Sequence, residues 1–502
     1  MTDQVGVILA QVLLRVRPKL VVILALDDVA ANAIDLLHAG IVGVVTRLRA
    51  MDIAAIAEQA VEAAQAAGAA DAEAYVEDSV GREIRVFDGE VESLTDAGQR
   101  GLGVRCWIDH RSGYAYGTDL SEDGLRQIAA GAVEAARVAD VDEFAAPPAA
   151  DGTAPEIPGL VDPTLADWDT ERKVELAQAI ERTARAADER VVGIETTVYV
   201  DEEQRVALAS STGLAGAWEA TAAYAYLQAI AESDADKQTG LGFGMARSPQ
   251  ALDPEEIGRE GAERAVSLLG ATKPTSRTCP VVLDPIVAAS FVGFIGGTLC
   301  ADTVQRGRSP FAGRLGGEVG SDALTLTDDG VDPAGLNSSP LDGEGSPHGR
   351  TPLIEAGRLA AYLHDSYTAR RQGEGTRTTA NASRSGYRSP PTVSTSNLVV
   401  APGEKSFNEL LAEADGGVYV TDVAGLHSGV NPVSGTFSVG ATGRLISGGA
   451  LADPADEFTV ASDLTSMLKA VAAAGSEARW VPFGGSVNAP PLLIAEMAIG
   501  GA

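Results

Sequence analysis

The same order of predicted elements occurs twice in the first half of this chain. Residues 53–69 have the alanine-rich composition and spacing of an amphipathic helix, and residues 120–139 form a second helix after a series of short β-prone runs. A helix over residues 170–187, further β-prone runs and a helix over residues 254–269 follow in that order. Each of the two segments is therefore predicted to form helices packed on a sheet, and the sheet of the first segment is predicted to be antiparallel. The α/β layer of the second segment is expected to stack beside that of the first.

This pattern divides most of the chain into three domains and a linker. Residues 51–143 and 164–275 are the two α/β domains, and residues 144–163, with five prolines and no lasting period, form the connector between them. Residues 276–502 are rich in glycine and in β-prone runs, which favours a β-rich, barrel-like domain. The predicted fold class is α+β, with N-terminal helix and antiparallel-sheet domains followed by the barrel-like C-terminal domain.

The first fifty residues differ from the rest. Residues 19–48 predict a strand, a helix that ends near Gly40 and a second strand. This βαβ fragment resembles the closing portion of a response-regulator receiver domain, without the acidic cluster and phosphorylatable Asp that would precede it. Residues 1–50 are therefore either a receiver-like fragment or an overlong N-terminus, with Met51 as the initiator.

The acidity of the chain argues against one class of partner. The chain carries 70 acidic and 38 basic residues, a formal net charge of −32, which repels the phosphate backbone of nucleic acids. Its three cysteines form no CxxC pair and no disulfide framework, which indicates a cytoplasmic protein. The longest uncharged stretch, residues 285–301, contains Gly and Pro breakers and predicts a buried helix. We expect neither a nucleic-acid partner nor a membrane.

The histidines occur one at a time. The His-Glu-x-x-His arrangement, which places two imidazoles and a general base on one helix, is absent from the sequence. No Gly-x-Ser-x-Gly lies in a strand-turn-helix setting, no cysteine is next to a histidine, and the GxxxxGK[ST] phosphate loop is missing. We therefore expect no catalytic residue and no metal ligand among the five histidines, which are His38, His110, His348, His364 and His427.

Several blocks of sequence are similar to one known family. The N-terminal block EAYVEDSVGREIRVFDGEVESLTDAGQRGLGVRCW is followed, in the right order, by residues 302–330, 340–376 and 397–443. Together they resemble the TldD/PmbA family, and the similarity covers residues 51–502. The resemblance implies an intracellular zinc-dependent peptidase that acts on unfolded or short peptides. In such a peptidase a metal-bearing TldD-type chain pairs with a PmbA (TldE) chain.

The resemblance also indicates which of the two chains this is. TldD-type members carry paired histidines and a glutamate on the helix before the block that matches residues 306–309, and a cysteine ligand near the C-terminus. Here the matching helix reads VGFIGGT at residues 292–298, residues 480–485 read WVPFGG, and Cys300 stands alone. The resemblance therefore implies a PmbA/TldE-like subunit that lacks the zinc motif and holds no cofactor, with zinc in a TldD-type partner.

The candidate substrate-binding residues are polar groups of the C-terminal region. His427 and Asn431, in GLHSGVNPVSG, lie among glycines where the backbone can approach an extended peptide, although a tight turn explains the same residues. Arg306 and His364 complete the set. His364 is predicted on a strand, where alternation places it on the face opposite Asp365.

Two further segments have alternative interpretations. The carboxylates in DDG and LDGEG could bind a cation, but both are ordinary turn sequences. The polar, glycine- and serine-rich residues 373–391 predict a mobile surface loop. The carboxylates in question are Asp328, Asp329, Asp342 and Glu344.

Three functions are compatible with these patterns. The first is a PmbA/TldE-like subunit that forms a peptide-binding cleft with a zinc-bearing, TldD-type partner in a heterodimer. The second is an autonomous metallopeptidase whose metal site assembles from distant residues such as His364, His427 and Glu344. The third is a peptide-binding scaffold without hydrolysis.

Overall fold

A computed structural model describes residues 52–234, 236–483 and 485–502 of the protein. The predicted βαβ fragment at residues 1–50 lies outside the described residues. The helices are α1 (Ile53–Ala66), α2 (Glu122–Val138), α3 (Thr170–Ala187), α4 (Pro254–Ser267), α5 (Pro285–Thr298), α6 (Ala301–Gln305), α7 (Ser366–Gln372), α8 (Phe407–Glu413), α9 (Leu426–Gly429) and α10 (Leu464–Lys469). The strands are β1 (Asp71–Phe87), β2 (Glu90–Ile108), β3 (Arg111–Gly117), β4 (Val191–Ser210), β5 (Ala215–Ser233), β6 (Asp236–Ala246), β7 (Arg277–Leu283), β8 (Leu326–Asp329), β9 (Arg350–Glu355), β10 (Arg358–Leu359), β11 (Ala382–Ser383), β12 (Thr392–Val393), β13 (Asn397–Val400), β14 (Val418–Ala424), β15 (Thr436–Ser447), β16 (Ala450–Asp463), β17 (Val471–Ala474), β18 (Arg479–Val481), β19 (Ser486–Ala489) and β20 (Leu492–Gly500).

The first six strands form one antiparallel sheet. Its order is β3-β2-β1-β4-β5-β6, so strands from both predicted α/β segments lie side by side. Strand β1 pairs with β4 from the Glu73–Ser210 pair to the Val86–Thr197 pair. The two helix-and-strand units are thus two halves of a single sheet, which we call the N-terminal sheet.

The strands of this sheet are longer than the sequence pattern indicates. The series of short β-prone runs before residue 120 consists in the sequence of residues 72–78, 83–87, 89–95, 100–108 and 111–118. In the structure the first two runs are one strand, β1, and the next two are one strand, β2. Gly81 and Gly98, which separate these runs in the sequence, lie inside β1 and β2, and Gly101 within the last run allows a bulky neighbour to approach. A Cβ on Gly101 would lie 2.2 Å from the Tyr387 ring, so glycine is required there for close packing.

Four helices cover one face of the N-terminal sheet. Helices α1 and α2 pack on the half with β1 to β3, and α3 and α4 pack on the half with β4 to β6. Helix α2 begins where the sequence predicts, since the Ser121 hydroxyl accepts the N–H of Gly124 at 3.2 Å. Helix α4 approaches β6 so closely that a Cβ on Gly242 would lie 2.0 Å from the Ile257 carbonyl oxygen.

The C-terminal region contains a closed barrel, which confirms the predicted barrel-like domain. Strands β16, β15, β14, β7 and β20 form the ring, and pairing of β16 with β20 closes it. A second sheet has the order β10-β9-β8-β13-β19-β18. The α+β fold class predicted from the sequence is therefore confirmed.

Helix α5 lies in the core of the C-terminal domain, between the barrel and the second sheet. Its side chains Phe291 and Ile295 are buried among residues of both. Asp284 caps its first turn by accepting the N–H of Ile286 at 2.9 Å. In the described part of the chain, no helix combines the length and the apolar content needed to cross a bilayer.

The proline-rich segment is tied to both halves of the molecule. Arg370 of α7 donates hydrogen bonds to the carbonyl oxygens of Phe144, Ala146 and Pro147. At the other end, the N–H of Thr221 in β5 donates to the Leu160 carbonyl oxygen at 2.8 Å. The segment therefore follows a fixed path across the molecule.

A buried charge network joins the N-terminal sheet to the C-terminal domain. Arg105 of β2 contacts Glu73 of β1 and Glu344 of the C-terminal domain, each at 2.8 Å. Arg384 pairs with Glu73 from the opposite side and stacks 4.7 Å from the Tyr75 ring centroid. The exposed side-chain fraction is 13% for Arg105 and at most 1% for the other three charges. Buried charges need such partners because each loses its hydration.

Replacing Arg105 by methionine should destabilise the protein. Glu73 and Glu344 would stay buried with one guanidinium fewer, so we expect the free energy of unfolding to fall by about 3 kcal/mol or more. Urea denaturation followed by tryptophan fluorescence measures this change. Arg126→Met is the matched control, since Arg126 is an exposed arginine on α2 with a side chain 57% exposed. Similar losses in the two variants would contradict a special role for the buried network.

Candidate functional site

Helix α5 is the first part of the candidate site, since the resemblance places the zinc ligands of TldD-type chains there. Its last two turns, residues 292–298, carry only apolar side chains, glycines and Thr298. The Thr298 hydroxyl donates to the Ile295 carbonyl oxygen at 2.7 Å. A Cβ on Gly296 would lie 2.5 Å from Leu398, so the core requires a glycine there. These residues do not fit zinc, which binds thiolate, imidazole and carboxylate donors.

The nearest cysteine does not change this conclusion. Cys300 follows α5 and is buried, and its thiol lies 3.6 Å from the Gly296 carbonyl oxygen. Burial raises the pKa of this thiol well above its ordinary value, which favours the protonated, poorly ligating form. Among the residues whose positions are described, no three His, Cys, Asp or Glu side chains lie close enough to hold a metal ion.

A groove opens beside this helix at one end of the barrel. It has a volume of about 530 Å³ and lies between α9 and the start of β15. Its wall includes Phe437, whose ring centroid is 5.0 Å from that of Phe291 in α5. The ring of Phe437 therefore connects the groove to helix α5. Its lining residues are Ser428, Gly429, Val430, Asn431, Pro432, Thr436, Phe437 and Ser438.

Asn431 belongs to the wall of this groove and also shapes it. Its side-chain oxygen accepts the N–H groups of Val433 and Ser434 at 2.9 and 3.1 Å. Its own N–H donates to the Thr436 carbonyl oxygen at 2.8 Å. The turn interpretation of the sequence thus has a direct geometric basis, and the Asn431 amide NH₂ group is the part of the side chain that a peptide could use.

The backbone of His427 lies in the short helix α9, next to the groove. Gly425 precedes this helix with φ of 88°, a left-handed conformation that suits glycine. The side chain of His427 is outside what the structure describes. Its predicted role in substrate binding stays a prediction.

The structure places the two other predicted site residues differently. Arg306 ends helix α6 on the surface, with 60% of its side chain exposed and Asp302 at 3.9 Å. His364 is 5% exposed, and its Nδ1 lies 3.3 Å from the Thr368 hydroxyl. Burial lowers the pKa of His364, so this imidazole is neutral near pH 7. Arg306 is available to a ligand, and His364 is part of the interior.

The predicted strand around His364 and Asp365 is wrong. Asp365 is the N-cap of helix α7, and its carboxylate accepts the N–H of Thr368 at 2.7 Å. The Thr368 side chain reaches back to the Asp365 N–H, which completes a capping box. The Asp-x-x-Thr spacing was the signal for a helix start, and it overrides the apolar alternation that indicated a strand.

The acidic set forms turns and interdomain contacts. The Asp342 carboxylate accepts the N–H groups of Glu344 and Ser346 at 2.9 Å each, as the turn interpretation expects. Burial alone would raise the pKa of Glu344, but Arg105 holds it below its ordinary value. Burial raises the pKa of Asp328 to about 6, while Ser396 and Asn381 donate hydrogen bonds to its carboxylate.

The prediction of a mobile surface loop at residues 373–391 is wrong for its second half. Tyr387 is 1% exposed, and Asn381 and Ala382 are buried. The Tyr387 N–H donates to the Glu77 carboxylate at 3.0 Å, and the Tyr114 hydroxyl donates to the Tyr387 carbonyl oxygen at 2.7 Å. Serine and glycine allow this segment to fit against the N-terminal sheet, and no period in the sequence marks it as buried.

Three segments of the chain match the domains of one known protein family. Residues 72–136, 163–269 and 276–501 match domain 1, the central domain and the C-terminal domain of the PmbA/TldA metallopeptidases. The chain belongs to the PmbA/TldD metallopeptidase family. The resemblance found in the sequence is therefore confirmed over most of the chain.

Relatives of both chain types are similar to this protein. Metalloprotease PmbA of Escherichia coli O157:H7 is 27% identical over 450 residues, which cover 89% of this chain and 96% of that protein. A metalloprotease TldD homologue of Haemophilus influenzae is 25% identical over 441 residues, which cover 82% of this chain and 89% of the homologue.

Two solved structures share the fold. A Thermotoga maritima protein, described as a candidate modulator of a DNA gyrase, is 27% identical with a TM-score of 0.81, and 89% of this chain aligns with all of that chain. TldE from Thermococcus kodakarensis has the same TM-score of 0.81 and the same coverage of 89% and 100%, at 22% identity. The second comparison shows the fold alone.

Substitutions of Asn431 separate its two possible roles. Asn431→Ala removes the acceptor of two backbone N–H groups, so we expect a loss of about 1 kcal/mol in the free energy of unfolding and a distorted groove. Asn431→Asp keeps that acceptor and should keep the stability of the wild type. Thermal denaturation and peptide affinity are measured for both. Retained stability with lost affinity in Asn431→Asp assigns a binding role to the amide NH₂ group, whereas unchanged affinity leaves Asn431 a turn residue.

The raised pKa of Asp328 predicts a pH dependence of stability. A carboxyl with a pKa of about 6 when folded and an ordinary pKa when unfolded favours the folded state most at low pH. This contribution is lost as the pH rises through 6, by up to about 3 kcal/mol in total. Asp328→Asn does not titrate, so the wild type should lose stability relative to this variant between pH 4 and 7. Urea denaturation at several pH values tests this, and a constant difference would contradict it.

Proposed function

We propose that this chain is the PmbA/TldE-like subunit of a metallopeptidase complex. It would form the peptide-binding cleft together with a zinc-bearing, TldD-type partner that carries out proteolysis. The observation that carries the proposal is helix α5, whose residues 292–298 have no side chain suited to zinc and place Val292, Ile295, Gly296 and Thr298 in the core. Because the residues do not fit the metal, we assign no hydrolytic step to this chain.

The groove beside α5 supports a role in peptide binding. An extended peptide has alternating N–H and C=O groups that need partners, and the groove offers hydroxyls at Ser428, Thr436 and Ser438. Phe437 anchors this wall in the core through its contact with Phe291. These features suit a sequence-tolerant site, since backbone groups and small hydroxyls discriminate little between peptide side chains.

The complex would hold its peptide rigidly on the side of this chain. The groove belongs to a closed barrel, and α5 is capped by Asp284, which also contacts Arg264 at 3.0 Å. Tyr419 of β14 donates to the same carboxylate at 2.5 Å. A preformed wall of this kind lowers the ordering entropy of binding, which is the contribution we assign to the subunit.

A cytoplasmic location is part of the proposal. Cys106, Cys279 and Cys300 are all free and buried, an arrangement that suits a reducing compartment. The heterodimer would then assemble where unfolded or short peptides arise.

Reconstitution tests the proposal. The chain should show no peptidase activity and no stoichiometric zinc when it is purified alone, and it should co-purify with a co-expressed TldD-type chain from the same genome. The pair should hydrolyse an unfolded peptide faster than the TldD-type chain alone. Zinc and activity in the isolated chain would establish the autonomous metallopeptidase instead, and peptide binding without recovery of a TldD-type chain would favour the scaffold.

A further inference from the structure

Four exposed arginines lie on two neighbouring segments of this acidic protein. Arg306 and Arg308 follow helix α6, and Arg371 and Arg377 lie at and after the end of helix α7. All four are exposed, in a chain whose formal net charge is −32. We call these four residues the arginine patch.

The ends of the two helices are in contact, which brings these segments together. The Gln305 side-chain NH₂ donates to the Thr368 carbonyl oxygen at 2.8 Å and reaches the Gln372 side-chain oxygen at 3.5 Å. Each of these glutamines is next to an arginine of the patch. The acidic residues near these segments are Asp302, 3.9 Å from Arg306, the exposed Glu374, and Asp142, which accepts the hydroxyl of Tyr367 beside Arg371 at 2.8 Å.

The backbone beneath the patch is held in place. The N–H groups of Arg306 and Arg308 donate to the carbonyl oxygens of Asp302 and Thr303, each at 3.0 Å. On the other segment, the hydroxyl of Thr378 donates to the His364 carbonyl oxygen at 3.1 Å. The backbone that carries the arginines is therefore held in place, so a ligand would need to order only their side chains.

Helix electrostatics explains only part of the patch. A cation in the last turn of a helix is favourable, and this accounts for Arg371 in α7. Arg308 and Arg377 lie outside the helices and have no ion-pair partner among the described residues. Guanidinium groups match carboxylates with two parallel hydrogen bonds, so the free ligands that suit them best are anions.

The patch adjoins the groove beside α5. Pro310 lies two residues after Arg308, and a Cβ added to Gly435 would lie 3.3 Å from its ring. Gly435 directly precedes Thr436 in the groove wall. A peptide that lies in the groove and extends past Gly435 toward Pro310 would therefore approach Arg308, the arginine of the patch nearest to Pro310 in the sequence.

We propose that the arginine patch binds carboxylate groups of the peptide and so gives the cleft a preference for acidic segments. The inference rests on the proposed peptide-binding role and names the class of peptide. Nucleic acid, the other polyanion that arginines bind, is disfavoured because the rest of the surface repels a long phosphate backbone.

Binding of two labelled peptides to the isolated chain tests the inference. One fluorescein-labelled peptide carries a run of glutamates, and the other has glutamine at each of those positions. Fluorescence anisotropy should show tighter binding of the glutamate peptide, with a difference that shrinks as NaCl is added. The double variant Arg308→Glu, Arg377→Glu should lose roughly tenfold in affinity for the glutamate peptide and little for the glutamine peptide.

The matched control reverses two other exposed arginines. Arg126→Glu with Arg182→Glu makes the same change in net charge on α2 and α3, where each side chain is 57% exposed. This control should keep the preference for the glutamate peptide, and circular dichroism should show that both double variants are folded. If both double variants lose the same affinity for the glutamate peptide, the change in net charge alone explains the loss, and the inference is overturned.

The remaining outcomes separate the inference from the function on which it rests. Equal affinity of the wild type for both peptides overturns the acidic preference and leaves the peptide-binding role intact. Absence of binding to either peptide overturns the inference. Co-purification of this chain with a TldD-type chain tests the subunit role independently of peptide binding. Stronger binding of a single-stranded oligonucleotide than of the glutamate peptide would show that the arginines serve phosphate instead.

Discussion

Two carboxylates and two guanidinium groups meet between the N-terminal sheet and the C-terminal domain, almost completely removed from water. Their contacts cross the interface in both directions, from Arg105 to Glu344 and from Arg384 to Glu73. Glu344 also accepts the N–H of Ser366 at the start of α7, at 3.0 Å. Desolvation makes each charge expensive by itself, so the two surfaces fit only in the arrangement that pairs them all. The network thereby fixes where α7 begins relative to the N-terminal sheet.

Helix α5 of the candidate site is also held in place by charged contacts. Its N-terminal cap, Asp284, is contacted by Arg264 of α4, and Arg264 in turn contacts Glu260 at 3.1 Å. Arg479 of β18 reaches that glutamate as well. The helix that carries the metal in TldD-type relatives, as the resemblance implies, is thus placed here by charges from both parts of the molecule. In this chain, apolar and glycine residues occupy the positions of this helix that face the core.

The fold was largely predictable because its signals are local. The Ser121 cap, the alanine-rich helices and the β-prone C-terminal half are readable from short windows of sequence. The joining of β1 to β4 was not, since strands separated by more than a hundred residues carry no local mark of pairing. Arg105 and Arg384 were also missed, because a single arginine in a strand or a polar loop is normally a surface residue. Asn431 was selected because it lies among glycines, and Arg306 lies in a block that carries the resemblance, and their roles in binding stay predictions.

The pairing of β1 with β4 changes what the proline-rich segment can do. A connector between separate domains would act as a hinge, but this one joins two halves of the same sheet and is bonded at its ends by Arg370 and Thr221. Bending at residues 144–163 therefore cannot open a cleft, since the strands on either side remain paired. In the proposed complex, control of substrate entry would therefore belong to the assembly of the two subunits and not to bending of this connector.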